Sequence, residues 1–313
     1  MRLLALVLAL MSGASLLPAQ TTPTLREGEG FVAVPGGRIW YRVVGHGPKT
    51  PLLVIHGCCG VGSYYLTPLA ALGDDRPVVF YDQIDNGRSD HPGDTTLWRM
   101  PHFIDEIKVL REALGLKDID VLGHSWGANV AVDYLLTKPP GVHALILAGP
   151  ELDMSRYFAD IARLVDALPA GAQRALIVHE RNGTLSSPEY REALGQFYHA
   201  YLARQTPWSA SLDSSVAHVN PAMNAYIYGP GVLDVTGWMK DYDRSRELPS
   251  ITLPTLITVG RYDFTSVPST YYYHNLLPNS RMTMFERSGH LMMQDEPEWY
   301  VSVVRSFLNQ SEP

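Results

Sequence analysis

The chain has 313 residues, 46% hydrophobic and 18% charged, with 25 basic and 32 acidic residues and a net charge of −7. That length admits one large domain with an insertion, or two small domains, and the apolar share fills a sizeable core, which excludes wholesale disorder. No Lys/Arg cluster stands out, so nucleic acid is excluded as a partner, and the charge is too mild to mark an acidic or basic substrate.

Arg2 precedes an apolar stretch from Leu3 to Met11, then small residues, then Leu17-Pro18-Ala19. This pattern predicts a signal peptide over residues 1–19, cut after Ala19, and a secreted or periplasmic protein. The alternative is an N-terminal anchor, but the stretch is short and soon broken by Ser and Gly. No other segment reaches 18 consecutive apolar residues, so no membrane contact is expected after cleavage. The only cysteines are the neighbours Cys58 and Cys59. A bridge between adjacent cysteines strains the peptide between them, so two free thiols are expected and stability must come from the core.

Residues 20–30 read as a polar lead-in. Phe31–Val34 and Ile39–Val44, split by Pro35-Gly36-Gly37, read as a hairpin. Leu52–Ile55 and Val78–Tyr81 are short apolar runs suited to strands buried on both faces, with helical patterns at 64–72 and 103–114. A strand over Ile119–Leu122, a helix over Ala128–Leu136 and a strand over Ala144–Ala148 continue the alternation, which predicts a parallel sheet with right-handed crossovers. Between Glu151 and about Leu248 the strands stop, and amphipathic helices such as Tyr157–Leu168 and Tyr190–Arg204 take over. The rhythm resumes with Thr255–Val259, Pro268–Leu276, Met282–Phe285 and Pro297–Leu308. The division expected is a core of residues 20–150 and 249–313 with a helical cap over 151–248. The alternative is a second domain with its own function.

Gly123-His124-Ser125-Trp126-Gly127 lies between the strand at 119–122 and the helix at 128–136. Strand, GxSxG turn and helix form a nucleophile elbow, in which a strained serine stands clear of the sheet; this points to an α/β-hydrolase with a mostly parallel sheet, helices on both faces and a cap after the sixth strand. Serine needs a base oriented by an acid, and the chain order in this fold is Ser, acid, His. Asp263 follows one late strand and His290 the last, at the strand ends where open α/β sheets place ligands. Ser125, Asp263 and His290 are therefore the expected triad. Glu151 and Asp153 are rival acids, and His124 is expected to pack or hydrogen-bond in the elbow. Two backbone N–H groups should meet the oxyanion, from Trp126 and, in His56-Gly57-Cys58-Cys59-Gly60, from Cys58. A cysteine nucleophile has no partner pattern comparable to that of Ser125. Neither HExxH nor Cys/His ligand spacing occurs, so no metal and no cofactor are expected.

With these motifs in hand, the chain resembles the proline iminopeptidase family of α/β-hydrolases from about Leu52 to the terminal helix. HGCCG at 56–60 is similar to the family's HGGPG, YDQIDNGRS at 81–89 to YDQRGCGRS, and GHSWGA at 123–128 to GxSWGG. LPTLITVGRYDFTSVP at 253–268 and SGH at 288–290 resemble the acid and histidine segments. The resemblance implies removal of an N-terminal proline or small residue, with glutamates holding the free ammonium. Phe264 and Val232 stand where two such glutamates are usual, Cys59 replaces the proline of HGGPG, and Asp85-Asn86 replaces Gly-Cys. Asp234 or Glu151 is a candidate substitute anion. Phe264, Val232, Tyr228, Trp238 and Glu151 are the candidate substrate contacts. The expected substrate is a short peptide or small amide. The competing readings are hydrolysis of uncharged esters, lactones or amides behind an aromatic cap (Tyr226, Tyr228, Trp238), and a non-catalytic ligand cup.

Overall fold

The computed structural model describes residues 25–57, 59–233 and 235–312; the signal-peptide expectation falls outside them, as do Cys58 and Asp234. The sheet is built from β1 (Gly28–Val34), β2 (Gly37–Val44), β3 (Leu52–Ile55), β4 (Val78–Asp82), β5 (Ile119–His124), β6 (Val142–Ala148), β7 (Thr255–Gly260) and β8 (Ser280–Phe285). These eight strands lie in the order β1-β2-β4-β3-β5-β6-β7-β8. β2 runs antiparallel to β1 and β4, and every later pair is parallel.

The central strands read as unbroken apolar runs because both of their faces are covered. Leu53, Ile55, Val79, Val121, Leu145, Leu147 and Ile257 belong to one core cluster. Their neighbours Leu52, Val54, Val78, Phe80, Leu122, Ile146 and Leu256 belong to the other. This is the period-two alternation of a strand sorted onto two buried layers. Helices α1 (Met100–Ala113) and α2 (Trp126–Leu136) pack against one another beside this sheet.

Between β6 and β7 the described residues form α3 (Met154–Asp166), α4 (Ala170–Asn182), α5 (Pro188–Tyr201), α6 (Ala210–Ala217) and α7 (Pro221–Ile227). They are followed, around β8, by α8 (Val267–Leu276), α9 (Met292–Asp295) and α10 (Pro297–Ser311). Asp153 caps α3 by accepting from the N–H groups of Ser155 and Arg156, and Ser187 caps α5 by accepting from Tyr190, each satisfying donors that the first turn leaves open. Ile161, Leu164, Leu176, Tyr190 and Phe197 form a third apolar cluster, which takes in Phe264 from the loop after β7.

Three differences from the sequence reading have physical causes. The segment read as a helix at 64–72 winds as a tighter 3-10 helix over Tyr64–Asp74, with Pro68 inside it, where a missing N–H disfavours a regular α-turn. Helix α4 was not individually expected. It buries only Ala172 and Leu176, while Ile177 and Val178 face solvent, so its apolar residues mark no stripe. Finally, Cys59 is disulfide-bonded, which corrects the expectation of free thiols.

Candidate active site

β5 ends at His124, and α2 begins at Trp126. The single residue between them, Ser125, takes φ 54° and ψ −124°, a region that costs a non-glycine residue about 1–3 kcal/mol. The flanking glycines are needed for close approach. A Cβ on Gly123 would strike the carbonyl of Gly127, and one on Gly127 would strike that of Ile55 in β3. The N–H of Ser125 donates to the Ala148 carbonyl at 2.8 Å, tying the turn to the end of β6. Trp126 opens the helix, where the first N–H groups lack intrahelical acceptors.

Asp263 and His290 come from the loops after β7 and β8 and meet at 2.6 Å, Oδ1 to Nδ1. Both are buried, at 2% and 3% exposure. Asp263 also accepts from the N–H of Thr265 at 3.1 Å, which holds the carboxylate in place. Burial alone would disfavour the imidazolium, but Asp263 and then Glu151 outweigh it, and the pKa of His290 lies above its ordinary value. Gly149 comes close enough that a Cβ there would lie 2.9 Å from the His290 ring. Phe264 stacks on that ring at 4.8 Å between centroids, and on Phe197 at 5.4 Å.

The hydroxyl of Ser125 donates to Glu151 Oε1 at 3.0 Å. This differs from the expectation that the His290 imidazole is its partner. Glu151 is 2% exposed, and its Oε2 accepts from the Tyr228 hydroxyl at 2.8 Å. Burial raises its pKa, opposed by His290, Tyr228 and Ser125. Asp153, the other rival acid, is occupied in capping α3. Val232 is half-buried in the third apolar cluster, and its N–H donates to Glu180 Oε1 at 2.9 Å. Trp238 stands edge-on to Trp126 at 6.0 Å, and Tyr228 edge-on to the same ring at 6.5 Å. Phe264, Val232, Tyr228, Trp238 and Glu151 thus come from separate segments; Tyr228, Trp238 and Glu151 gather around Ser125 and Trp126, while Val232 sits with Phe264 in the apolar cluster.

Cys58 lies outside the described residues, but the loop around it is anchored on both sides. Gly57 N–H donates to the Tyr65 hydroxyl at 2.8 Å, Asn220 N–H donates to the Cys59 carbonyl at 3.0 Å, and Gly60 N–H donates to Asn86 Oδ1. Gln83 contributes three times: its N–H donates to His56 Nε2 at 3.0 Å, its Nε2 donates to the His56 carbonyl at 3.2 Å, and its Oε1 accepts from Trp126 Nε1 at 2.9 Å. His124 contacts the Tyr65 hydroxyl at 2.7 Å and the His290 carbonyl at 3.0 Å, so it packs and hydrogen-bonds as expected. The sequence reading assigned no role to Gln83, Tyr65 or His56. Polar side chains inside an apolar strand-loop context were the available signal, since buried polar groups need partners.

A mostly parallel sheet with a serine on a strained strand-to-helix turn, and a buried Asp–His pair at neighbouring strand ends, defines an α/β hydrolase. Residues 50–297 match the family model described as the alpha/beta hydrolase fold. Proline iminopeptidase of Heyndrickxia coagulans is 39% identical over 285 residues, covering 90% of this chain and 98% of that protein. Proline iminopeptidase of Saccharolobus solfataricus is 32% identical, covering 90% and 92%. Among solved structures, proline iminopeptidase of Mycobacterium smegmatis superposes with a TM-score of 0.84 at 28% identity, covering 91% of this chain and 98% of that one. VinJ superposes with a TM-score of 0.86 at 30% identity, covering 91% and 99%. The chain belongs to the proline iminopeptidase family of α/β hydrolases and is a serine hydrolase enzyme. Among its described residues no helix is long and apolar enough to cross a membrane.

Proposed function

We propose that Ser125, Asp263 and His290 carry out acyl transfer, releasing an N-terminal proline or small residue from a peptide or amide. His290 takes the proton from the Ser125 hydroxyl as Oγ attacks the carbonyl. Asp263 fixes the ring so that its far nitrogen faces the reaction and stabilises the imidazolium that forms. The backbone N–H groups of Trp126 and Cys58 receive the oxyanion. His290 then protonates the departing amine, activates water, and the acyl-enzyme is hydrolysed. The observation that carries this reading is the 2.6 Å contact of two buried groups, Asp263 and His290, beside a serine held at φ 54°.

Residues 151–248 act as a cap that keeps water from the site, a role supported by the aromatic contacts of Tyr228 and Trp238 with Trp126. Export through residues 1–19 is part of the same reading and is checked by the mass of the mature N-terminus. The second reading, hydrolysis of uncharged esters or amides, is favoured by Phe264 stacked on His290. Prolyl- and alanyl-anilides, each with its N-acetylated counterpart, and short nitrophenyl esters separate the two. Anilide turnover lost on blocking the amine is the expected result; ester turnover with no anilide turnover supports the second reading. Ser125→Ala should abolish both.

A further inference from the structure

The site holds more negative than positive charge. Asp263 and Glu151 are each 2% exposed, and His290 is the group whose charge opposes that of Glu151. Among the described residues, no Lys or Arg forms an ion pair with either carboxylate. With both acids ionised, even an imidazolium leaves one buried negative charge uncompensated. A buried carboxylate without a counter-ion is costly, and the neutral hydroxyls of Ser125 and Tyr228 are its direct partners. With Glu151 ionised, the Ser125 hydroxyl is held on its carboxylate rather than on the imidazole.

We propose that Glu151 is the specificity residue for the α-amine of the substrate, and that the amine, by pairing with Glu151, displaces the Ser125 hydroxyl and turns it toward His290. This rests on the reading of Ser125 as nucleophile. In an aminoacyl substrate the α-nitrogen lies two bonds from the carbonyl carbon that Oγ attacks. A carboxylate oxygen 3.0 Å from Oγ is therefore within ion-pair reach of that nitrogen once the carbonyl is in place. A side-chain amine several carbons away does not satisfy the same geometry. Tyr228 steadies the second oxygen at 2.8 Å, so the carboxylate keeps its orientation when the hydroxyl leaves. Binding energy from the charged amine is thereby used to ready the nucleophile, and an acyl group without the amine leaves the hydroxyl on Glu151.

The test compares Glu151→Gln with wild type in two assays. On alanyl-anilide, kcat/KM should fall about 100-fold, chiefly through KM, as for a buried charge pair that loses one partner. Labelling by an uncharged fluorophosphonate should instead speed up about fivefold, the effect of weakening one hydrogen bond to the hydroxyl. Glu151→Asp, which keeps the charge, should recover at least about tenfold of the anilide loss. Equal losses in both assays, an unchanged anilide rate, or no recovery with aspartate would overturn the proposal. Failure of the underlying reading looks different: Ser125→Ala would still take the label or turn over anilide.

Discussion

His290 is pressed between burial, which resists its charge, and two carboxylates that favour it, with the net shift upward. As the proposed base the ring must be neutral, so activity should rise with pH through a pKa above the ordinary 6.5. A kcat/KM profile on alanyl-anilide whose rising limb falls below that value would contradict this. Phe264→Glu places a third carboxylate against the ring, and should move the limb further upward while raising the ratio of anilide to ester turnover. Asp263→Asn should cost about 10⁴ in kcat, since the ring then loses the partner that sets its tautomer. Glu151 carries a stability consequence as well. Its pKa is raised in the fold, so its favourable contribution is present below the unfolded value and is lost as pH rises through the folded one. At neutral pH, Glu151→Gln should therefore stabilise the protein by about 1 kcal/mol, or roughly 2 °C in Tm, while impairing amine turnover.

At the scale of elements, the elbow joins β5 to α2 through glycines that have no room for a side chain. Gly127→Ala must push α2 away from the Ile55 carbonyl, an overpacking cost of about 1–3 kcal/mol or more. Urea unfolding should show that loss, with anilide activity falling further than stability because Ser125 and the Trp126 N–H move together. The elbow was legible in the sequence because GxSxG stood between a strand run and a helix pattern, and the alternation of strands and helices placed Asp263 and His290 at neighbouring strand ends. The partner of the Ser125 hydroxyl was not legible. Glu151 follows β6 in a loop, and no periodicity reveals that its carboxylate folds back onto the elbow. Helix α4 escaped for a related reason: its buried residues, Ala172 and Leu176, are too few to mark a face. The disulfide at Cys59 was not legible either, because adjacency of two cysteines speaks only to local strain.

Across the whole molecule, buried carboxylates set the pH response of the fold. Burial raises Asp120 to about 7 against the pull of Arg76, and it also raises Glu106, Asp133 and Glu151. Each such group binds its proton more tightly folded than unfolded, so stability declines as pH rises from about 4 toward 7. Glu296, held low by Ser288 and Arg287 despite burial, acts oppositely and loses its contribution only as pH falls below its ordinary range. His56 and His124, whose pKa values burial lowers, oppose that decline below their ordinary value, so the carboxylate slope stands clear only near neutrality, where Asp120→Asn should flatten the dependence of Tm on pH. Arg76 is fully buried and links Asp120 on β5 to Asp75 and Glu312 near the C-terminus. Arg76→Met should cost about 3–5 kcal/mol by stranding a buried charge, and the double variant with Asp120→Asn should recover part of it.

The proposed chemistry turns on an alcohol oxygen at position 125 becoming covalently acylated. Intact mass and peptide mapping of the fluorophosphonate-treated enzyme read it directly. The expected result is one adduct, on the peptide containing Ser125, absent from Ser125→Ala and matched by loss of anilide turnover. An adduct elsewhere, or undiminished turnover by Ser125→Ala, would contradict it.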